Sequence, residues 1–180
     1  MTLSRAGTAW RSPALFMPPP LRGWLTDPHS LTARIRARCR HFSVQPLRTG
    51  RAALAADEAS LVGCGRARAV SREVLLRADG RPVVFAHSVV NPRDLHGVWH
   101  MFRGVGSRPL GALLFADARI ARSPLAVRRL DWRHPLHRRV RAEGIAVSGP
   151  LWARRSLFMR HGRPLLVTEV FLPAISELAP

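Results

Sequence analysis

A chain of 180 residues with 47% hydrophobic residues is the size of one domain and can bury a core of its own. No stretch has the ~20 consecutive apolar residues a membrane span requires. The segment 1–22 mixes Arg5, Arg11 and Arg22 with hydroxyl residues instead of presenting the apolar run of a secretory signal. A formal net charge of +18 invites a nucleic-acid or acidic-membrane partner. However, all 29 basic residues are Arg, spread along the chain beside abundant Ala, Gly and Pro. That reads as a bias of the whole composition, so no nucleic-acid partner and no stable membrane insertion are expected. Cys39 and Cys64 have no CxxC spacing and suit a reducing compartment, the cytoplasm.

Residues 1–20, which end in Met17-Pro18-Pro19-Pro20, are set apart as a flexible tail ahead of a domain over 21–180. Ser30 suits the N-cap of a helix over Leu31–Arg40, where its hydroxyl satisfies a first-turn N–H. Leu31, Ile35 and Cys39 then share the inward face, and the arginines between them form a solvated one. From Val70 the period changes to that of a strand. Two apolar runs flank Asp79-Gly80, a dipeptide in which both residues tolerate positive φ, and this signals a β-hairpin. The design recurs from Arg154 to Leu172 around His161-Gly162. Aligning the two Gly-Arg-Pro triplets sets Arg154 against Arg72 and Glu169 against His87. Between the hairpins, 104–109 reads as a loop, Pro109 opens a short helix over Leu110–Ala116, and Ala121–Arg141 reads as a basic surface excursion. Hairpins bracketed by helices indicate an α+β fold with a single antiparallel sheet.

Two charges are misplaced by the ordinary rules of burial. Side chains alternate along a strand, so Arg72 shares a face with Val74 and Leu76, and Glu169 shares one with Leu165, Val167 and Phe171. An unpaired buried ion costs on the order of several kcal/mol. For Glu169 two readings stand: a functional carboxylate, or one half of a cross-strand ion pair with Arg154 directly opposite. By the same register Arg72 faces His87, which offers it no strong anion. A buried Arg without an acidic neighbour points to an anionic ligand, because its planar fork matches a carboxylate. Elsewhere signals are weak. His96 and His100 lack the glutamate of a zinc-protease helix, no metal site is read, and no nucleophile elbow, Walker loop or dinucleotide fingerprint is present. The Leu110-Gly111 amides at a helix start offer an unspecific anion site.

The segments Arg72-Glu73-Val74-Leu75-Leu76 with Ala78-Asp79-Gly80, Pro109-Leu110-Gly111 with Leu114-Phe115, Trp152-Ala153-Arg154-Arg155-Ser156, and Thr168-Glu169-Val170-Phe171-Leu172-Pro173 together resemble the bacterial chorismate lyase family, from about Trp24 to Pro173. The resemblance implies helical flaps over an internal ligand pocket, and removal of pyruvate from chorismate to give 4-hydroxybenzoate, the first committed step of ubiquinone biosynthesis, with no cofactor. It implies that Arg72 holds the ring carboxylate and that Glu169 lies by the ring hydroxyl, the two forming the catalytic pair. Backbone groups of Leu110 and Leu31 complete the substrate contacts. Leu31 stands where some relatives have Met, a small departure if the main chain makes the contact. A monomer is the expectation. Folds of this kind also serve as non-catalytic sensor domains for small aromatic acids, which is the alternative, although regulators normally carry a DNA-binding domain ahead of the sensor.

Overall fold

The computed structural model describes residues 9–13, 17–64 and 69–178. Seven strands form one antiparallel sheet: β1 (Phe42–Ala52), β2 (Ala69–Ala78), β3 (Arg81–Val90), β4 (Ala121–Arg122), β5 (Ala126–Leu130), β6 (Leu151–Arg160) and β7 (Arg163–Phe171). Their order is β1-β2-β3-β7-β6-β4, with β5 pairing a further length of β6. The α+β architecture with a single antiparallel sheet is therefore what the chain adopts.

The two hairpin turns form as their sequences dictate. Asp79 and Gly80 have φ of 48° and 79°, and His161 and Gly162 have 48° and 71°, the paired positive values that match the right-handed twist of the flanking strands. Register separates the hairpins. In the β6–β7 pair Arg154 lies opposite Glu169. In the β2–β3 pair the register shifts between Leu76 and Arg77, so that Leu76 meets Val84 while Arg77 meets Pro82. Val83 is thus an extra residue. It moves Ser88 opposite Arg72 and sets His87 opposite Glu73, correcting the expected Arg72–His87 pairing. A one-residue slip sends a side chain to the other face, so His87 leaves the Arg72 face altogether.

Helices cover both faces. On the front lie α1 (Pro19–Thr26), α2 (Leu31–Arg36), two 3-10 turns (Pro92–His96 and His100–Gly104) and α4 (Leu110–Ala116). Trp24, Leu25, Leu31 and Ile35 pack there on Val74, Leu76, Val84 and Phe171, and Trp99, Phe102 and Leu114 pack on Val90, Leu165 and Phe158. On the back, α3 (Ala56–Leu61) and α5 (Pro135–Ala142) cover Leu75, Phe85, Val170, Val89 and Leu166.

Three expectations change. Ser30 caps α2 through Ala33 N–H, but the helix ends at Arg36 instead of Arg40. The Asp79 carboxylate accepts from the N–H groups of Arg40 and His41 at 2.9 and 2.8 Å, and this draws the chain out of the helix and into β1. The segment Ala121–Arg141 is no surface excursion: β4 and β5 extend the sheet, and Leu125, Val127, Leu130, Leu136 and Val140 are buried. β1 had no signal, because it is a half-exposed edge strand carrying Pro46 and Gly50. Within the stretch set apart as a tail, Met17 is buried, Arg11 exchanges backbone hydrogen bonds with Val127, and α1 already starts at Pro19. The rest of that stretch lies outside the described residues.

Candidate active site

A pocket lies between the front of the sheet and the helical cover. Its floor follows from strand parity. Arg72, Ser88, Val167 and Ser156 form one row across β2, β3, β7 and β6, and Val74, Ala86, Glu169 and Arg154 form the next. The small side chains of Ala86 and Ser88 on the middle strand leave a trough. Arg72 stands on one side and Glu169 on the other, two strands away, roughly 10 Å between backbones at the usual strand spacing. Leu31 and Thr32 of α2, with Leu110, Gly111, Leu114 and Phe115 of α4, form the roof. The two helices meet at Gly111, where a Cβ would stand in ordinary contact with the Thr32 hydroxyl, 3.5 Å away. All four residues singled out from sequence (Arg72, Glu169, Leu110 and Leu31) line this one pocket.

Arg72 is 4% exposed. Its Nη2 donates to the carbonyls of Gly106 at 2.9 Å and Arg108 at 3.2 Å, in the loop that leads into α4. Nε and Nη1 have no partner among the described residues, and no carboxylate pairs with it. Desolvation alone pulls its pKa down to about 10, the direction in which burial drives a cation lacking a counter-ion. The group stays charged at neutral pH and lines the pocket.

Glu169 is different. Arg154, 1% exposed, donates from Nε to Glu169 Oε2 at 2.5 Å, and from Nη1 to the carbonyls of Trp24 and Asp27 at 2.7 and 2.8 Å. The ion pair foreseen as one reading of Glu169 is therefore present, yet the carboxylate also lines the pocket. Arg154 fixes it from behind and ties the end of α1 to the sheet.

One pocket residue escaped the sequence reading. Arg122 of β4 lines the cavity, its guanidinium 5.3 Å from the ring centres of both Phe115 and Phe158. Nε donates to Ser156 Oγ at 2.8 Å and Nη1 to the Pro28 carbonyl at 2.6 Å. Burial pushes its pKa down, and the nearby Glu169 charge partly offsets this. A strand of two residues has no periodicity to read, and one Arg among so many carries no signal of its own.

The cavity measures about 40 Å³. A ring of benzene's size occupies a cavity of roughly 150 Å³, so admitting an aromatic acid requires the α2 and α4 cover to move outward. Sheet arginines grip that cover by its carbonyls, Arg72 holding the 106–108 loop and Arg122 and Arg154 the end of α1 and the turn after it. Among the described residues no cluster of His, Cys, Asp or Glu is arranged to hold a metal ion. Likewise no helix there is long and apolar enough to cross a membrane.

The fold resembles solved effector domains of transcriptional regulators. The effector domain of PhnF from Mycobacterium smegmatis superposes with a TM-score of 0.56 at 12% identity, covering 81% of this chain and 89% of that one. The C-terminal domain of the histidine utilization repressor from Pseudomonas syringae gives 0.55 at 10% identity, covering 74% and 93%. At such identities the likeness is one of fold alone. Sequence relatives are far nearer. A probable chorismate pyruvate-lyase of Azoarcus sp. is 56% identical over 88% of this chain and 86% of its own length. Its counterparts in Aromatoleum aromaticum and Thiobacillus denitrificans are 55% and 47% identical, each covering more than nine-tenths of this chain. The family model described as chorismate lyase matches residues 3–178, and the chain belongs to the chorismate lyase family.

Proposed function

We propose that this protein converts chorismate to 4-hydroxybenzoate and pyruvate without a cofactor, and so feeds ubiquinone biosynthesis. The observation that carries this reading is the pairing, across a trough of small residues, of an uncompensated buried guanidinium with an oriented carboxylate. Arg72 holds the ring carboxylate by its free Nε and Nη1, with the main chain at Leu110 and Leu31 closing over the ring. Glu169 then lies at the para end, beside the carbon that bears the hydroxyl.

The reaction breaks the C–H bond on that carbon, and its electrons complete the aromatic ring. The neighbouring C–O bond breaks with its electron pair leaving on oxygen, and the enolpyruvate gains a proton on its methylene to become pyruvate. Aromatisation supplies driving force, so modest assistance suffices. Glu169, held by Arg154, either takes the ring proton or orients the hydroxyl while the proton passes directly to the methylene.

The test is turnover. Purified protein mixed with chorismate should accumulate 4-hydroxybenzoate absorbance and equimolar pyruvate; tight binding of 4-hydroxybenzoate with no turnover would instead favour a sensor. Glu169→Gln separates the two proton routes. Loss of a general base lowers kcat by about 10²- to 10⁴-fold, whereas full activity would remove Glu169 from the chemistry.

A further inference from the structure

We infer that Arg122 is a second anion-binding residue of the pocket, taking the carboxylate of the enolpyruvyl group while Arg72 takes that of the ring. This rests on the lyase reading above and specifies how its substrate is held.

The charges of the site carry the argument. Glu169 is the only acidic residue among those lining the pocket, and it is already neutralised from behind by Arg154. Arg72 and Arg122 remain as two lining guanidinia with neutral partners only: backbone carbonyls for the first, a serine hydroxyl and a backbone carbonyl for the second. Two cations with no bonded carboxylate, Arg72 buried and Arg122 half-buried, fit a dianion better than a monoanion. Chorismate carries two carboxylates; 4-hydroxybenzoate carries one.

Position agrees with the assignment. In the strand order Arg72 stands on β2 and Arg122 on β4, on opposite sides of β7, which carries Glu169, and the Glu169 charge acts on Arg122 while burial alone perturbs Arg72. In chorismate the enolpyruvyl ether sits on the ring carbon next to the one bearing the hydroxyl, at the end opposite the ring carboxylate. A ligand held by Arg72 at one end therefore brings its side arm to Arg122 at the other. The guanidinium is held by Ser156 and Pro28 beside the edge-to-face pair of Phe115 and Phe158, and its Nη2 has no hydrogen-bond partner among the described residues. As the C–O bond breaks, negative charge builds on the departing enolpyruvate, and a preorganised cation in a dry site favours that change.

The rival explanation is that Arg122 only ties β4 to the turn after α1. Ligands that differ in the side arm alone distinguish the two. Arg122→Gln should raise the KM for chorismate about 10- to 100-fold, the range for one charge-assisted contact, while the Kd of 4-hydroxybenzoate stays within about threefold. Arg72→Gln should weaken both. Equal loss for chorismate and product in Arg122→Gln, or no loss for chorismate, overturns the inference. A measurement on the unaltered protein avoids any folding defect. 4-Hydroxybenzoate bearing a carboxymethoxy group beside its hydroxyl should inhibit at least about tenfold more strongly than the methyl ester of that side arm. Equal inhibition by the two rejects a second carboxylate site. Failure of the lyase reading is a separate result, since unaltered protein would then yield no pyruvate from chorismate at all.

Discussion

The sheet buries charge on both of its faces and treats it in opposite ways. On the back, Glu73 bonds His87 Nδ1 at 3.0 Å and Arg139, the far nitrogen of His87 lies 3.5 Å from Glu58, and Asp57 receives Arg155 at 2.6 Å. These groups extend one row of the sheet, Glu73, His87, Thr168 and Arg155 on adjacent strands, capped by α3 and α5. On the front, buried Arg72 and half-buried Arg122 bond only carbonyls and a hydroxyl. The same strands supply both rows, one residue out of phase. The fold pairs Glu169 with Arg154 in front but gives Arg72 and Arg122 no bonded carboxylate, and a buried cation without one marks a candidate ligand site.

The largest effect should come from removing the front charge. Arg72→Gln is expected to lower kcat/KM for chorismate by about a thousandfold, the scale of losing one partner of a buried charge pair. Folding should suffer little, because no counter-ion is stranded. Thermal unfolding measured beside kcat/KM checks this. A large fall in Tm with retained activity would mean that Arg72 is a structural cation and that the two faces do not differ.

The back face should behave in reverse. Glu73→Ala strands His87 and Arg139 against an apolar layer, and breaking a buried pair in this way costs about 3–5 kcal/mol. For a domain of this size that is a fall in Tm of about 6–20 °C. The Kd for 4-hydroxybenzoate, measured below the new Tm, should be unchanged. If ligand binding collapses while stability holds, the back row is coupled to the pocket and the division fails.

This contrast was half legible in the sequence. Parity singled out Arg72 and Glu169 because each shares a face with aliphatic residues, and the Asp79-Gly80 and His161-Gly162 turns gave both hairpins. The Arg154–Glu169 pair followed from a two-residue loop. Glu73 and His87 were missed as a pair because a bulge at Val83 has no marker in a run of Val and Phe, and register downstream of a bulge cannot be counted from the turn. Arg122 was missed for a different reason. Its strand exists only because β6 offers an edge for Ala121 and Arg122 to join, a tertiary contact with no local pattern. The shortened α2 was likewise decided at a distance, by Asp79.

The smallest predicted effect lies at the margin of the back face and tests whether its balance extends to the helix cap. His134 Nδ1 accepts the Leu136 N–H at the start of α5, at 3.2 Å. Burial first, and then the charge of Arg128, pull its pKa from 6.5 down to about 4. The folded state therefore resists a proton that the unfolded chain accepts. The cap's contribution is complete above pH ~6.5 and is lost as pH falls from there toward ~4. Between pH 7 and 5 the Tm should drop by a few degrees. His134→Asn keeps an N-cap acceptor and removes the titration, so its Tm should change less over that interval. An identical slope in both proteins would place the pH sensitivity elsewhere.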